Sequence, residues 1–64
     1  MNIGLLGFGV VGRGVYEITT SRSDMQVKKV LCLEDINLPD AESVKDIKLI
    51  VEDPSIDTVV EAMG

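Results

Sequence analysis

Apolar residues in this chain come in short blocks, each closed by glycine, proline or an acidic pair. Met1-Asn2-Ile3-Gly4-Leu5-Leu6 is an apolar run that stops at Gly7. Its length, and the lack of a polar face, predict a strand buried on both sides. Beyond a glycine-rich stretch from Gly7 to Gly14, Val11, Val15 and Ile18 fall at i, i+4 and i+7. That spacing gives a helix one apolar stripe, and the helix is predicted from about Val10 to Thr20. Thr19-Thr20-Ser21 is a weak helix end, and Ser23-Asp24 is a turn. Val27 to Leu33, continuously apolar from Val30, predicts a second buried strand that ends at Glu34-Asp35. Ile36-Asn37-Leu38-Pro39 is a connector with room for a very short extended piece at Ile36–Leu38. Asp40 or Ser43 is placed to cap a second helix, with Val44, Ile47, Ile50 and Val51 as its stripe. Asp53-Pro54 ends it, because the residue before proline avoids helical angles. A third strand centred on Val59 lies within Ile56–Gly64.

Strand, helix, strand, helix, strand implies a parallel sheet with helical crossovers, which are right-handed almost without exception. If the second and last strands flank the first, the two helices cover opposite faces and the chain reverses direction across a central first strand. Ligands of such sheets bind at that reversal, beyond the carboxyl ends of the strands.

Composition narrows the classes. The 64 residues amount to one small domain or a piece of one, 45% hydrophobic and 27% charged, with two prolines. That is a globular composition, not a disordered or low-complexity one. One cysteine and no histidine exclude a disulfide framework and a structural zinc site, so no metal is expected. No apolar run approaches the ~20 residues of a membrane span, and no signal region follows Met1, so the expected address is the cytoplasm. The net charge is −5, which argues against a nucleic-acid partner. Residues 1–33 carry four basic and two acidic side chains, whereas residues 34–64 carry two basic and nine acidic ones. An anion is therefore expected in the first half.

The glycines supply a candidate for holding it. Gly7-x-Gly9-x-x-Gly12 follows a strand and opens a helix, the context in which this pattern reads a dinucleotide. Gly7 allows the tight turn, Gly9 lets a pyrophosphate approach the backbone, and Gly12 lets the helix pack closely on the sheet. Amides at the helix start have no partner inside the helix and are completed by an anion. Phe8, Val10 and Val11 would contribute backbone contacts and walls. Gly14, inside the helix, costs ~1 kcal/mol against alanine and is expected to be repaid by a close approach. The bland alternative is a glycine-rich turn with no ligand. Together these features predict an α/β fold, a Rossmann-like three-stranded parallel sheet with helices on both faces, forming a partial nucleotide-binding domain.

An acid ~20 residues beyond the motif is expected to bind the adenosine ribose hydroxyls. Glu34 lies 22 residues after Gly12, with Asp35 beside it as the weaker candidate. A solvated strand end and a turn-forming pair are the competing explanations. A carboxylate repels a 2′-phosphate, and no arginine follows Leu33, so NAD is expected over NADP. Cys32 and Tyr16 are assigned to packing, Glu61 to solvent or the cleft, and Lys28 and Lys29 to the far end of the sheet. No histidine is present, and no lysine is expected at the cleft mouth, so no catalytic acid or base is assigned.

Asn2-Ile3-Gly4-Leu5-Leu6-Gly7-Phe8-Gly9-Val10-Val11-Gly12-Arg13-Gly14-Val15 resembles the amino-terminal stretch of homoserine dehydrogenases. So do Val27-Lys28-Lys29-Val30-Leu31 and, most specifically, the closing Asp53-Pro54-Ser55-Ile56-Asp57-Thr58-Val59-Val60-Glu61-Ala62-Met63-Gly64. That family interconverts L-homoserine and L-aspartate 4-semialdehyde with NAD or NADP, on the route to threonine and methionine. The resemblance implies cofactor contacts at Phe8, Val10 and Val11, and at Gly64 near the nicotinamide. It also implies that substrate-handling residues, and the substrate domain itself, lie beyond this chain, which alone is then inactive. Three departures stand out. Leu33 occupies a place where the family often has a basic residue. Ile36–Ser43 is too short for the family's usual additional strand before the second helix. The chain also stops at Gly64, where the family continues. A non-catalytic NAD-binding or sensing module and the front end of another NAD(P)-dependent dehydrogenase are the alternatives. The open edges of a three-stranded sheet lead to an expectation of self-association into a homo-oligomer.

Overall fold

A computed structural model describes residues 1–63. The elements follow the order β1 (Asn2–Leu6), α1 (Val10–Thr20), β2 (Gln26–Leu31), β3 (Glu42–Val44), α2 (Lys48–Val51) and β4 (Thr58–Glu61). All strand pairings are parallel, and the sheet order is β3-β2-β1-β4. β1 is flanked by β2 and β4, so the chain reverses direction across it, as a doubly wound α/β sheet requires. The fold class is the expected Rossmann-like α/β arrangement, with four strands where three were read from the sequence.

Alternate residues of β1 feed two cores. Ile3 and Leu5 join Val27, Val30 and Ala62, against which Phe8, Val15 and Tyr16 from the α1 side pack. Leu6 joins Val44 and Ile50, covered in part by Leu31 and Ile56. The helices therefore lie on opposite faces. A Cβ at Gly4 would come 2.3 Å from Cγ2 of Ile50, so the missing side chain lets α2 settle onto β1.

The fourth strand corrects the second half of the chain. Glu42, Ser43 and Val44 pair in register with Lys29, Val30 and Leu31, where a helix had been expected. The additional strand forms by using the last two residues of the short connector together with Val44 of the expected helix, and Ile36–Leu38 form no strand. The second helix shrinks to four residues, and neither Asp40 nor Ser43 caps it. Instead the Asp46 carboxylate accepts the Lys48 N–H at 2.9 Å. The spacing of Val44, Ile47 and Ile50 misled because Val44 and Ile50 do share a core, one from a strand and one from a helix. β2 also stops at Leu31, two residues earlier than expected.

α1 has its expected bounds but a different packing face. Gly12 and Thr19 are buried, while Val11 and Ile18 of the expected stripe are 57% and 63% exposed. Close contact at Gly12 centres the interface on residues 12, 15, 16 and 19, turning Val11 and Ile18 outward. The C-terminal turn is closed by hydroxyls: Thr19, Thr20 and Ser21 donate to the carbonyls of Tyr16, Glu17 and Ile18. No close approach repays Gly14, which has open space where a Cβ would stand.

The closing Asp53–Asp57 turn ties the sheet together. Asp53 accepts the Ser55 N–H and hydroxyl and forms an ion pair with Lys29 at 2.9 Å. Lys29 also donates to the Leu49 carbonyl. The Asp57 carboxylate accepts the Asn2 N–H, and the Asn2 side chain donates to the Ser55 carbonyl.

Candidate functional site

β1 ends at Leu6, and Gly7 turns the chain out of the sheet with φ +102°, a left-handed value that favours glycine. Its N–H donates to the Leu31 carbonyl at 2.9 Å, extending the β1–β2 pairing by one bond. The following amides are different. Among the described residues, the N–H groups of Phe8, Gly9, Val10, Val11 and Gly12 have no hydrogen-bond partner. The first bond of the turn is from the Arg13 N–H to the Gly9 carbonyl at 2.9 Å. Gly9 is the N-cap of α1, no side chain caps that helix end, and no acidic residue stands in its first turn. Unpaired amides and the positive end of an 11-residue helix dipole thus coincide.

The glycines divide the labour in physical terms. A Cβ at Gly12 would sit 2.4 Å from the Gly7 carbonyl oxygen, so the helix approaches β1 as closely as backbone allows. A Cβ at Gly9 would meet nothing within 4 Å. Gly9 is therefore not required by packing; its bare backbone opens outward.

It opens into a cleft of about 830 Å³ to which all four strands contribute their carboxyl ends. Gly7, Phe8 and Gly9 follow β1; Leu31, Cys32, Leu33 and Glu34 end or follow β2; Lys45, Asp46 and Ile47 follow β3; Met63 follows β4. The volume suits a cofactor-sized ligand, and the lining is mainly apolar with a few charged groups. Of the residues singled out from the sequence, Gly7, Phe8, Gly9 and Glu34 meet in this cleft. Val10, Val11 and Gly12 do not line it: Val10 and Val11, 90% and 57% exposed, open α1, and Gly12 is buried. Gly64 lies outside the described residues.

Phe8 is less available than a bare wall. Its ring stacks edge-on with Tyr16 at 5.8 Å, and the Arg13 guanidinium lies 5.0 Å over it. The Tyr16 hydroxyl donates to Asp40, a bond that raises the phenol above its usual range and pins the β2–β3 connector to α1. Cys32 is half-buried against the main core and free, as a small hydrophobe is expected to be. Glu61 turns back to accept the Met63 N–H.

Two charged features of the site went unread in the sequence. Lys45 lines the cleft, against the expectation that no lysine stands at its mouth. Its ammonium pairs with Asp35, whose carboxyl it holds below the ordinary carboxylate range. Arg13 adds a cation on the first turns of α1. Lys45 was hidden because its segment had been assigned to a helix; Arg13 carried no positional signal of its own. Among the described residues there is no cluster of histidine, cysteine and acidic side chains able to hold a metal ion, and no helix long and apolar enough to cross a membrane.

Comparison with known proteins finds a relative. A homoserine dehydrogenase from Methylobacillus glycogenes is 35% identical over 78 aligned positions, which take in this whole chain and 19% of that protein. The alignment is longer than the chain, so the relative carries additional residues within the stretch. The relation is distant, and the chain spans about a fifth of the length of the relative it matches. No family model matches the chain. No solved structure matches it significantly.

Proposed function

We propose that this chain is the nucleotide-binding front end of a homoserine dehydrogenase, holding a nicotinamide dinucleotide at the corner between β1 and α1. The observation that carries the proposal is the run of unpaired amides from Phe8 to Gly12, opening at Gly9 into a cleft at the sheet's reversal point. Such a run binds an anion without any basic side chain, because each N–H desolvated at a helix start gains a charge-assisted hydrogen bond. The likeness to a homoserine dehydrogenase supports the choice of enzyme.

The residues present fit the cofactor. Amides at Gly9 to Gly12 would take the pyrophosphate, with Arg13 lending positive charge. Glu34, exposed in the bend three residues beyond β2, would accept from the ribose hydroxyls. Leu33 and Ile47 would flank the adenine. The bound cofactor supplies hydride transfer between L-homoserine and L-aspartate 4-semialdehyde. This chain's part is to orient the dinucleotide, exclude water with its apolar lining, and favour NAD over NADP through the Glu34 carboxylate. Substrate binding and proton transfer belong to a further domain of the full-length enzyme.

Calorimetric titration tests this. NAD is expected to bind the chain weakly and Gly9→Asp to abolish binding. An aspartate at the N-cap accepts the helix-start amides itself, so that variant keeps or gains thermal stability while it loses the ligand. Equal NAD binding by both proteins would sink the proposal.

A further inference from the structure

The cleft residues after β2 and β3 carry a charge arrangement that bears on which dinucleotide fits. Glu34, Lys45 and Asp46 line the cleft there, and Lys45 is the one cationic lining residue among those described. Its ammonium does not project free into the cleft; it lies 2.5 Å from the carboxylate of Asp35, the neighbour of Glu34. Asp46 is already engaged, accepting the Lys48 N–H. Both partners of the ion pair are solvent-accessible, with side chains 94% and 56% exposed for Asp35 and Lys45, so the pair adds little to stability. It ties the turn after β2 to the loop after β3 on the rim where Glu34 stands.

We infer that Asp35 and Lys45 form a charge clasp that discriminates against a 2′-phosphorylated dinucleotide. The inference rests on the proposed nucleotide site and adds the device that sets its selectivity. With the clasp closed, a 2′-phosphate beside Glu34 meets carboxylates and a lysine already neutralised. With Asp35 neutral, the same lysine reaches a phosphate monoester instead, because an ammonium on a flexible stem follows the nearest dianion. A purely structural strap would change stability without changing which dinucleotide is preferred.

The test compares NAD and NADP binding by titration calorimetry in the unaltered chain, Asp35→Asn and the double variant Asp35→Asn/Lys45→Met. The ratio of NADP to NAD affinity is expected to rise about fivefold in Asp35→Asn, the scale of one exposed ion pair. It is expected to return to the starting ratio in the double variant, and the gain is expected to shrink in ~1 M salt, where screening acts within ~3 Å. An unchanged ratio in Asp35→Asn overturns the clasp. So does a gain that survives removal of Lys45, which would mean simple relief of repulsion. If the unaltered chain binds neither dinucleotide, the nucleotide site itself falls; if it binds NAD and the ratio stays fixed, the clasp alone falls.

Discussion

Three glycines of one motif differ in what a single methyl group would do, which separates folding from binding at residue resolution. At Gly12 the methyl would be driven into the Gly7 carbonyl, a backbone atom that cannot swing aside. Gly12→Ala is therefore expected to cost about 1–3 kcal/mol, the range for overpacked sites. At Gly9 the methyl would stand in open space, on a backbone with φ −80° that any residue adopts. Gly9→Ala is expected to leave stability within about 0.5 kcal/mol, as at surface sites away from special features. Urea unfolding of the two variants decides it. Comparable losses at both positions would mean that Gly9, like Gly12, serves packing, and the outward-facing cradle would lose its physical basis.

At the scale of elements, the first half of the chain and the closing strand at Val59 were legible, and the stretch between β2 and β4 was not. The apolar block of β1, the glycine turn and the helical spacing of α1 bound these elements correctly, although the i, i+4, i+7 stripe named Val11 and Ile18, which face outward. β3 has three residues on a sheet edge with only Val44 buried, too short to carry a period of its own. The cleft shares this division: the corner at Gly7–Gly12 could be read from spacing, whereas Lys45 needed β3 to exist before it had a place. Asp53-Pro54 could be read as the stop of the second helix, the rest of the turn to Asp57 only as a resemblance, and its physical content is a set of carboxylates bound by neighbours. Asp53 is held down to about 2, first by its bond to Lys29 and then by Ser55. Asp57 is lowered by Thr58 and the Asn2 amide, and Asp24 by Arg22. A carboxyl that titrates lower when folded stabilises fully above its unfolded value near ~4 and loses that contribution as pH falls through its folded value. Resistance to urea is thus expected to hold down to about pH 4 and to fall steeply toward about pH 2. Asp53→Asn is expected to lower the plateau and flatten the last part of that fall. A variant whose acid limb matches the parent's would remove Asp53 from the account.

At the scale of the whole molecule, a small core and open sheet edges pull in one direction and charge in the other. Leu5, Val30 and Ile50 are the largest fully buried side chains, and Val10, Val11, Ile18, Val59 and Met63 remain substantially exposed. The edge at β3 is short and carries the exposed Glu42, features that discourage pairing. The edge at β4 is the longer one, with Val59 46% exposed and no described strand beside it. Unpaired strand amides there can be satisfied by a second copy, while a net charge of −5 repels that copy over about the Debye length. Association is therefore expected to strengthen as salt rises, the reverse of an assembly held by ion pairs. Sedimentation equilibrium at ~50 mM and ~500 mM salt reads this directly, since screening lengths differ about threefold between them. Val59→Lys places a charge on the β4 edge without touching the buried cores, and is expected to shift the chain toward its 6.9 kDa monomer at both salt concentrations. A monomer at every concentration, or a Val59→Lys chain that associates as the parent does, would show that the β4 edge is not where copies meet.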